Sequence, residues 1–91
     1  MNNQERLKAI KACLQRAFQP TVLEVTDESH LHAKHEGAKT GKGHFSVTIT
    51  STAFTGKTRT EQHRLIYAAL GDLMKNEIHA LRITCKTLSN F

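Results

Sequence analysis

The sequence predicts an α+β fold with two layers, in which helices cover one face of a three-stranded sheet. Three observations support this prediction: an apolar pattern of helical spacing near the start, a second such pattern behind a helix-capping signature, and three short segments rich in β-favouring residues. The predicted order is helix, strand, strand, helix, strand. A last strand that follows a helix can pair in parallel with an earlier strand, but the pattern leaves the strand order open.

The first predicted element is an amphipathic helix, because apolar residues recur at helical spacing between polar ones. These residues are Leu7, Ile10, Leu14, Ala17 and Phe18. Pro20 ends the helix, since proline cannot continue it. Residues 22–27 then favour a first strand, with Leu23 and Val25 on one of its faces.

The middle of the chain is predicted to hold a loop and a second strand. Residues 28–43 are polar and contain three glycines, which predicts a long flexible loop. Residues 44–50 alternate in polarity, with Phe45, Val47 and Ile49 on one side. This alternation predicts a half-buried strand, and we expect it to pair with the first strand.

A second helix is predicted to begin after Thr58, because Thr58 and Glu61 form a capping-box signature. Its apolar stripe runs without interruption to Met74. Residues 78–86 alternate again and predict a third strand, with His79 on the side of the core residues but at the rim of the sheet. The opposite face of the sheet is expected to stay polar.

Composition narrows the functional classes. The chain has 91 residues, which suits one domain over residues 1–91 with little enclosed volume, and a formal net charge of +5, which favours anionic partners. Its two cysteines fit a reducing compartment, and neither a signal peptide nor a membrane-spanning run is visible, so we expect a cytoplasmic protein without membrane contact. Without a nucleophile elbow or a His-Glu-x-x-His motif, no enzyme activity is predicted.

Histidines are numerous for so short a chain. Three fall in the loop, one opens the second strand, one lies in the second helix and one begins the third strand; they are His30, His32, His35, His44, His63 and His79. Imidazoles bind zinc or nickel, but the loop offers no cysteine or carboxylate at matching spacing, so weak metal capture is expected there. We expect His63 to be a partly buried packing residue, while His79 is either structural or a ligand.

Several short motifs follow one another along residues 7–87. They are Leu23-Glu24-Val25-x-Asp27-Glu28-Ser29-His30-x-His32, Gly43-His44-Phe45, Phe54-x-Gly56-Lys57, His63-Arg64-x-Ile66-Tyr67 and Ile78-His79-Ala80-Leu81. In this order and spacing they resemble the BolA family. The resemblance implies a fold of the class II KH type and a non-enzymatic adaptor that binds a monothiol glutaredoxin and takes part in 2Fe-2S cluster assembly, trafficking or iron sensing.

The resemblance also implies a set of cluster ligands. A 2Fe-2S cluster shared with glutaredoxin and glutathione would take two thiolates from them and leave two positions for this chain, which alone would bind no cluster. Mapped by motif, His79 is the strongest candidate and His32 the second, with His35 and His30 as alternatives. Two imidazoles on one iron are chemically reasonable, because Rieske centres use that arrangement.

An alternative function follows from the same resemblance, since KH-like folds bind nucleic acid and some BolA relatives are described as transcriptional regulators. Lys57 and Arg59 flank the predicted start of the second helix, where backbone amides and the helix dipole can receive a phosphate, and Arg64 lies further along. Ordinary KH domains use a Gly-x-x-Gly loop at that junction, and this sequence has none there. We therefore rank DNA binding second, and we expect a monomer when the protein is free.

Overall fold

The computed structural model describes residues 1–32 and 41–87, and within them the chain forms a mixed sheet packed against helices. The elements are α1 (Asn3–Phe18), β1 (Val22–Asp27), a first 3₁₀ helix (Ser29–His32), β2 (Gly43–Thr50), a second 3₁₀ helix (Thr52–Phe54), α2 (Arg59–Leu70), α3 (Asp72–Asn76) and β3 (Ile78–Lys86). The predicted two-layer α+β fold is confirmed, and so are the bounds of its first and third strands.

The sheet has the order β1-β2-β3, with β2 in the centre. β1 and β2 are antiparallel, as shown by Asp27 opposite Phe45, which confirms the predicted pairing of the first two strands. β2 and β3 are parallel, with Phe45 opposite Leu81. The strand order that the sequence left open is therefore settled by a crossover through α2 and α3.

A bulge interrupts the parallel ladder at its start. Gly43 lies opposite Ile78 whereas His44 lies opposite Ala80, so His79 is passed over in the pairing. Ile78 is buried and His79 is exposed. The alternation of β3 gave His79 the parity of the core residues but placed it at the rim of the sheet, and its exposure agrees with the rim position; the bulge accounts for the loss of the core parity.

The core lies between one face of the sheet and the helices. Its fully buried side chains come from β2, both long helices and the second 3₁₀ helix, and the largest are Phe45, Phe54, Ile10, Leu14, Ile49, Ile66 and Val47. The other face carries Thr26, Ser46 and Arg82 in one row across the three strands. That face is polar, as the sequence predicts.

The second predicted helix begins where the sequence predicts but is interrupted before its predicted end. Thr58 and Glu61 form the predicted capping box at the start of α2. The prediction of one continuous second helix is wrong, because Gly71 adopts φ 52° and ψ −123° and separates α2 from α3. Leu73 and Met74 nevertheless pack against the core, so the apolar stripe continues across the break.

The predicted long loop is shorter at both ends than the sequence suggests. Its first residues form the 3₁₀ helix Ser29–His32, and Gly43 already belongs to β2. Residues 33–40 lie outside the described residues, so the predicted flexibility of the loop is not tested.

Candidate functional site

Two imidazole rings meet where β2 and β3 begin. The rings of His44 and His79 have their centroids 5.0 Å apart and are tilted by 47° to each other. His79 is exposed, whereas His44 retains 6% of its accessible surface. An exposed imidazole thus packs on a buried one, and the bulge brings the two together although they are far apart in sequence.

His44 is the residue of this site to which the sequence assigned no role. It opens β2 directly after Gly43, whose small size is required by packing: a Cβ there would lie 2.4 Å from the Phe45 ring and 2.9 Å from Oδ1 of Asn3. The Gly43-His44-Phe45 motif was the available signal. The role of this motif depends on how β2 pairs with β3, and the local sequence pattern does not specify that register.

The main chain of His44 is held from the side of β1. The Glu28 N–H donates to the His44 carbonyl at 2.7 Å, and the His44 N–H donates to Oγ of Ser29 at 3.0 Å. These two bonds extend the contact between the first two strands beyond the last pair of their ladder. They place the start of the first 3₁₀ helix beside His44.

We call Ser29–His32 the histidine segment. Hydrogen bonds and an ion pair connect its start to three other elements of the fold. The Ser29 N–H donates to Oδ1 of Asp27 at 2.9 Å, a turn typical of aspartate, and Nδ2 of Asn3 in α1 donates to the Ser29 hydroxyl at 3.2 Å. The Glu28 carboxylate pairs with Arg82 of β3. The base of the segment is therefore joined to α1, β2 and β3.

The predicted loop ligands are placed only in part. His30 is exposed and lines a cleft of about 360 Å³ together with Asn3, Arg6, Ser29, Gly41, Lys42 and His44. The side chain of His32 lies outside the described part of the structure, as does the whole of His35. His30 thus shares a cleft with His44, and His79 contacts His44 directly, while a pairing of His79 with His32 stays a prediction.

The described donors at this site do not form a metal-binding group by themselves. Among residues 1–32 and 41–87 no three His, Cys, Asp or Glu side chains lie close enough together to hold a metal ion. Cys13 and Cys85 are half-buried elsewhere, and burial raises the pKa of the Cys85 thiol.

An ion pair stabilises the base of the site from the side of α1. Nε of Arg6 donates to Oε1 of Glu77 at 2.9 Å, and this bond lowers the pKa of the Glu77 carboxyl. Nη1 of Arg6 donates to Oδ1 of Asn3 at 2.8 Å. Because Asn3 also binds Ser29, a chain of polar contacts runs from the residue before β3 to the histidine segment.

The candidate DNA contacts lie around the start of α2. Lys57, Arg59 and Arg64 are all exposed there. Two backbone amides are already used by the capping box, since Thr58 N–H donates to Glu61 at 2.8 Å and Glu61 N–H donates to the Thr58 hydroxyl at 3.1 Å. The bonds from Thr58, followed by the charges of Lys57 and Arg64, lower the pKa of Glu61.

The groove beside this helix contains His63. It is lined by Arg59, Gln62, His63, Ile83, Thr84 and Cys85. His63 is half-buried there, in agreement with the packing role expected for it. The cationic side chains of α2 and the imidazole pair at the start of β3 lie on different elements and form separate candidate sites.

Comparison with known proteins shows which family the chain resembles. Residues 14–90 match the family model described as BolA-like protein. SufE-like protein 1, chloroplastic/mitochondrial, from Arabidopsis thaliana is 41% identical over 83 residues, which are 86% of this chain. The DNA-binding transcriptional regulator BolA from Escherichia coli (strain K12) is 37% identical over 82 residues, covering 90% of this chain and 75% of that protein.

A solved structure gives the same fold. The BolA domain of SufE1 from Arabidopsis thaliana superposes with a TM-score of 0.81 at 43% identity, covering 90% of this chain and 91% of that chain. The chain spans only 22% of the full length of SufE-like protein 1. Similarity to that relative therefore concerns one part of a longer protein.

The comparisons leave the compartment open. None of the helices that the structure describes has the length and apolar character needed to cross a membrane. One relative is named chloroplastic/mitochondrial. The cytoplasmic location stays a prediction.

Proposed function

The chain belongs to the BolA-like protein family, and from this membership we propose that it is a non-enzymatic adaptor that binds a monothiol glutaredoxin and takes part in 2Fe-2S cluster assembly, trafficking or iron sensing. The observation that carries the proposal is the exposed ring of His79, which packs on the buried ring of His44 beside the histidine segment. A surface imidazole supported in this way can bind iron held by a partner.

In this proposal the cluster has four ligands, two from glutaredoxin and glutathione and two from this chain. Glutaredoxin and glutathione supply thiolates, His79 supplies one imidazole, and His32 supplies the second, with His30 and His35 as alternatives. Replacing two thiolates by neutral imidazoles raises the reduction potential of a 2Fe-2S centre, as in Rieske proteins. The adaptor would therefore change the redox behaviour of the cluster as well as help to hold it.

Within residues 1–32 and 41–87 the candidate donors are exposed and too few to hold a metal alone, which supports sharing of a cluster with a partner over catalysis. Enzyme sites generally enclose their substrate in a concave pocket with a few convergent polar groups. Here His30 lines a cleft at one end of a small sheet, and the exposed His79 contacts His44, which lines the same cleft. This geometry suits contact with another protein.

The test is reconstitution of the cluster on a monothiol glutaredoxin with glutathione, followed by addition of this chain. We expect the wild-type chain to change the visible absorption and circular dichroism of the cluster. His79→Ala should abolish most of that change, whereas His63→Ala, which removes a half-buried imidazole from α2, should leave it intact. Equal changes with wild type and His79→Ala would refute the ligand assignment.

DNA binding is the second candidate function. It is supported by the exposed Lys57, Arg59 and Arg64 and by the name of the Escherichia coli relative. Phosphate contacts weaken steeply as salt rises, whereas base contacts add dependence on sequence. The test is a titration with duplex DNA at two salt concentrations, with the triple variant Lys57→Gln, Arg59→Gln, Arg64→Gln as control. Binding that does not depend on DNA sequence and disappears at higher salt would indicate charge attraction and argue against a transcriptional regulator.

A further inference from the structure

The hydroxyl of Ser29 joins two parts of the molecule that are distant in sequence. It accepts hydrogen bonds from the His44 N–H at 3.0 Å and from Nδ2 of Asn3 at 3.2 Å. A hydroxyl oxygen has two acceptor positions, so both are used. Ser29 is also the first residue of the histidine segment, and its partner His44 carries the ring that packs on His79.

We propose that Ser29 is a positioning residue that fixes the histidine segment relative to His79 and so determines how the second imidazole reaches the metal. This inference rests on the proposed function. Two contacts connect the histidine segment to His79. The Ser29 hydroxyl accepts a hydrogen bond from the His44 amide, and the His44 ring contacts the His79 ring. This bond and this ring contact add to the Glu28 N–H bond to the His44 carbonyl, and they are the part of the connection that runs through the Ser29 side chain.

The local turn does not need this hydroxyl. The turn after β1 is closed by Oδ1 of Asp27, which accepts the Ser29 N–H at 2.9 Å whatever the side chain at position 29. The hydroxyl bonds instead to residues 15 and 26 positions away. Ser29→Ala therefore keeps the turn and the Glu28 bond to β2, and it removes only the two bonds that the hydroxyl makes to β2 and α1.

Ser51 at the other end of β2 offers a matched control. Its hydroxyl donates to the Phe18 carbonyl at 2.7 Å and accepts the Ala53 N–H at 3.1 Å, so it also joins α1 to an end of the strand. Its surroundings contain Phe18 and Phe54 instead of the histidine segment. Ser51→Ala removes the same kind of hydroxyl without disturbing the candidate ligands.

The first measurement uses the free protein. Amide hydrogen exchange followed by NMR should show the His44 amide exchanging about fivefold faster in Ser29→Ala, the factor expected for one ordinary hydrogen bond. The same amide should keep its wild-type rate in Ser51→Ala. Ser29→Thr retains the hydroxyl and should restore protection.

The second measurement adds each variant to the glutaredoxin-bound cluster and records visible circular dichroism. Ser29→Ala should give a spectrum that differs from those of the wild-type chain and of His79→Ala, because His79 remains while the second ligand is misplaced. Ser51→Ala should reproduce the wild-type spectrum. A general loss of stability would affect both serine variants alike, so a difference between them reports on position.

The outcomes separate the two claims. If wild type changes the cluster spectrum and Ser29→Ala changes it identically, the positioning role is overturned while the proposed function stands. If wild type leaves the spectrum unchanged, the proposed function fails, and the exchange rate of the His44 amide still decides whether Ser29 holds the segment. Equal His44 exchange in Ser29→Ala and Ser51→Ala would overturn the inference on the free protein alone.

Discussion

The two ends of β2 are built alike and differ in what they expose. At each end a serine hydroxyl links the strand to α1, and at each end two aromatic rings have their centroids 5.0 Å apart. At the end of the strand the rings belong to Phe18 and the fully buried Phe54. At its start they belong to His44 and the exposed His79.

The difference suggests how one strand can serve stability at one end and the proposed cluster binding at the other. The phenylalanine end removes apolar surface from water, the dominant favourable term in folding. The histidine end instead keeps the imidazole ring of His79 at the surface, in contact with the ring of His44. If the comparison holds, substitutions at the two ends should separate loss of stability from loss of cluster binding.

The largest effect is expected at the phenylalanine end. Phe54→Ala should lower the free energy of unfolding by about 3–5 kcal/mol, the usual cost of truncating a buried phenylalanine. Urea denaturation measures this loss. The molecules that remain folded should still change the spectrum of a glutaredoxin-bound cluster, and the milder Phe54→Leu provides a well-populated folded state for that assay.

If Phe54→Leu altered the cluster spectrum as much as His79→Ala does, the distinction between the two ends of β2 would be wrong. It would mean that the two ends of β2 act as one unit.

A smaller loss of stability is expected at the histidine end from Gly43→Ala. The added methyl group would lie within 2.6 Å of two carbon atoms of the Phe45 ring, and overpacking of this kind costs about 1–3 kcal/mol. Because His44 follows directly, this variant should also perturb the ring contact with His79. Urea denaturation and the His44–His79 ring cross-peaks in NMR measure the two effects, with Gly56→Ala as a control whose Cβ meets nothing within 4 Å.

The control position Gly56 has φ 76°, so Gly56→Ala carries backbone strain without a steric clash. Loss of the His44–His79 cross-peaks in Gly56→Ala as well would show that the ring contact responds to stability in general. Retention of the cross-peaks in Gly43→Ala would show that close packing at Gly43 does not order the rings.

The smallest effect concerns pH. The bond from Arg6 holds the pKa of Glu77 below its ordinary value of 4.5, so its contribution to stability is present above that value and is lost as the pH falls through the lowered pKa. Glu77→Gln should therefore flatten the decline in urea midpoint on the acid side of 4.5. An unchanged acid limb in Glu77→Gln would show that this ion pair does not stabilise the histidine end.

Much of the fold could be predicted because its signals are local. The strands at 22–27 and 78–86 and the capping box of Thr58 and Glu61 are encoded in neighbouring residues. The break at Gly71 could not be predicted from the apolar stripe, since Leu73 and Met74 remain in phase with the core on the far side of it.

The candidate site was predicted less completely, because its geometry comes from contacts between distant segments. Motif resemblance pointed to His79. The role of His44 depends on the bulge that skips His79, and the role of Ser29 depends on a bond to a residue beyond the loop. Neither the bulge nor the bond has a signature in the local alternation of polarity.

The most direct test of the central claim is pulsed EPR of the reduced 2Fe-2S cluster in the complex with glutaredoxin and glutathione, which detects nitrogen bound to iron. The account predicts imidazole nitrogen coupling with the wild-type chain and with His63→Ala, and loss of the His79 contribution in His79→Ala. Nitrogen coupling of equal strength in His79→Ala would contradict it.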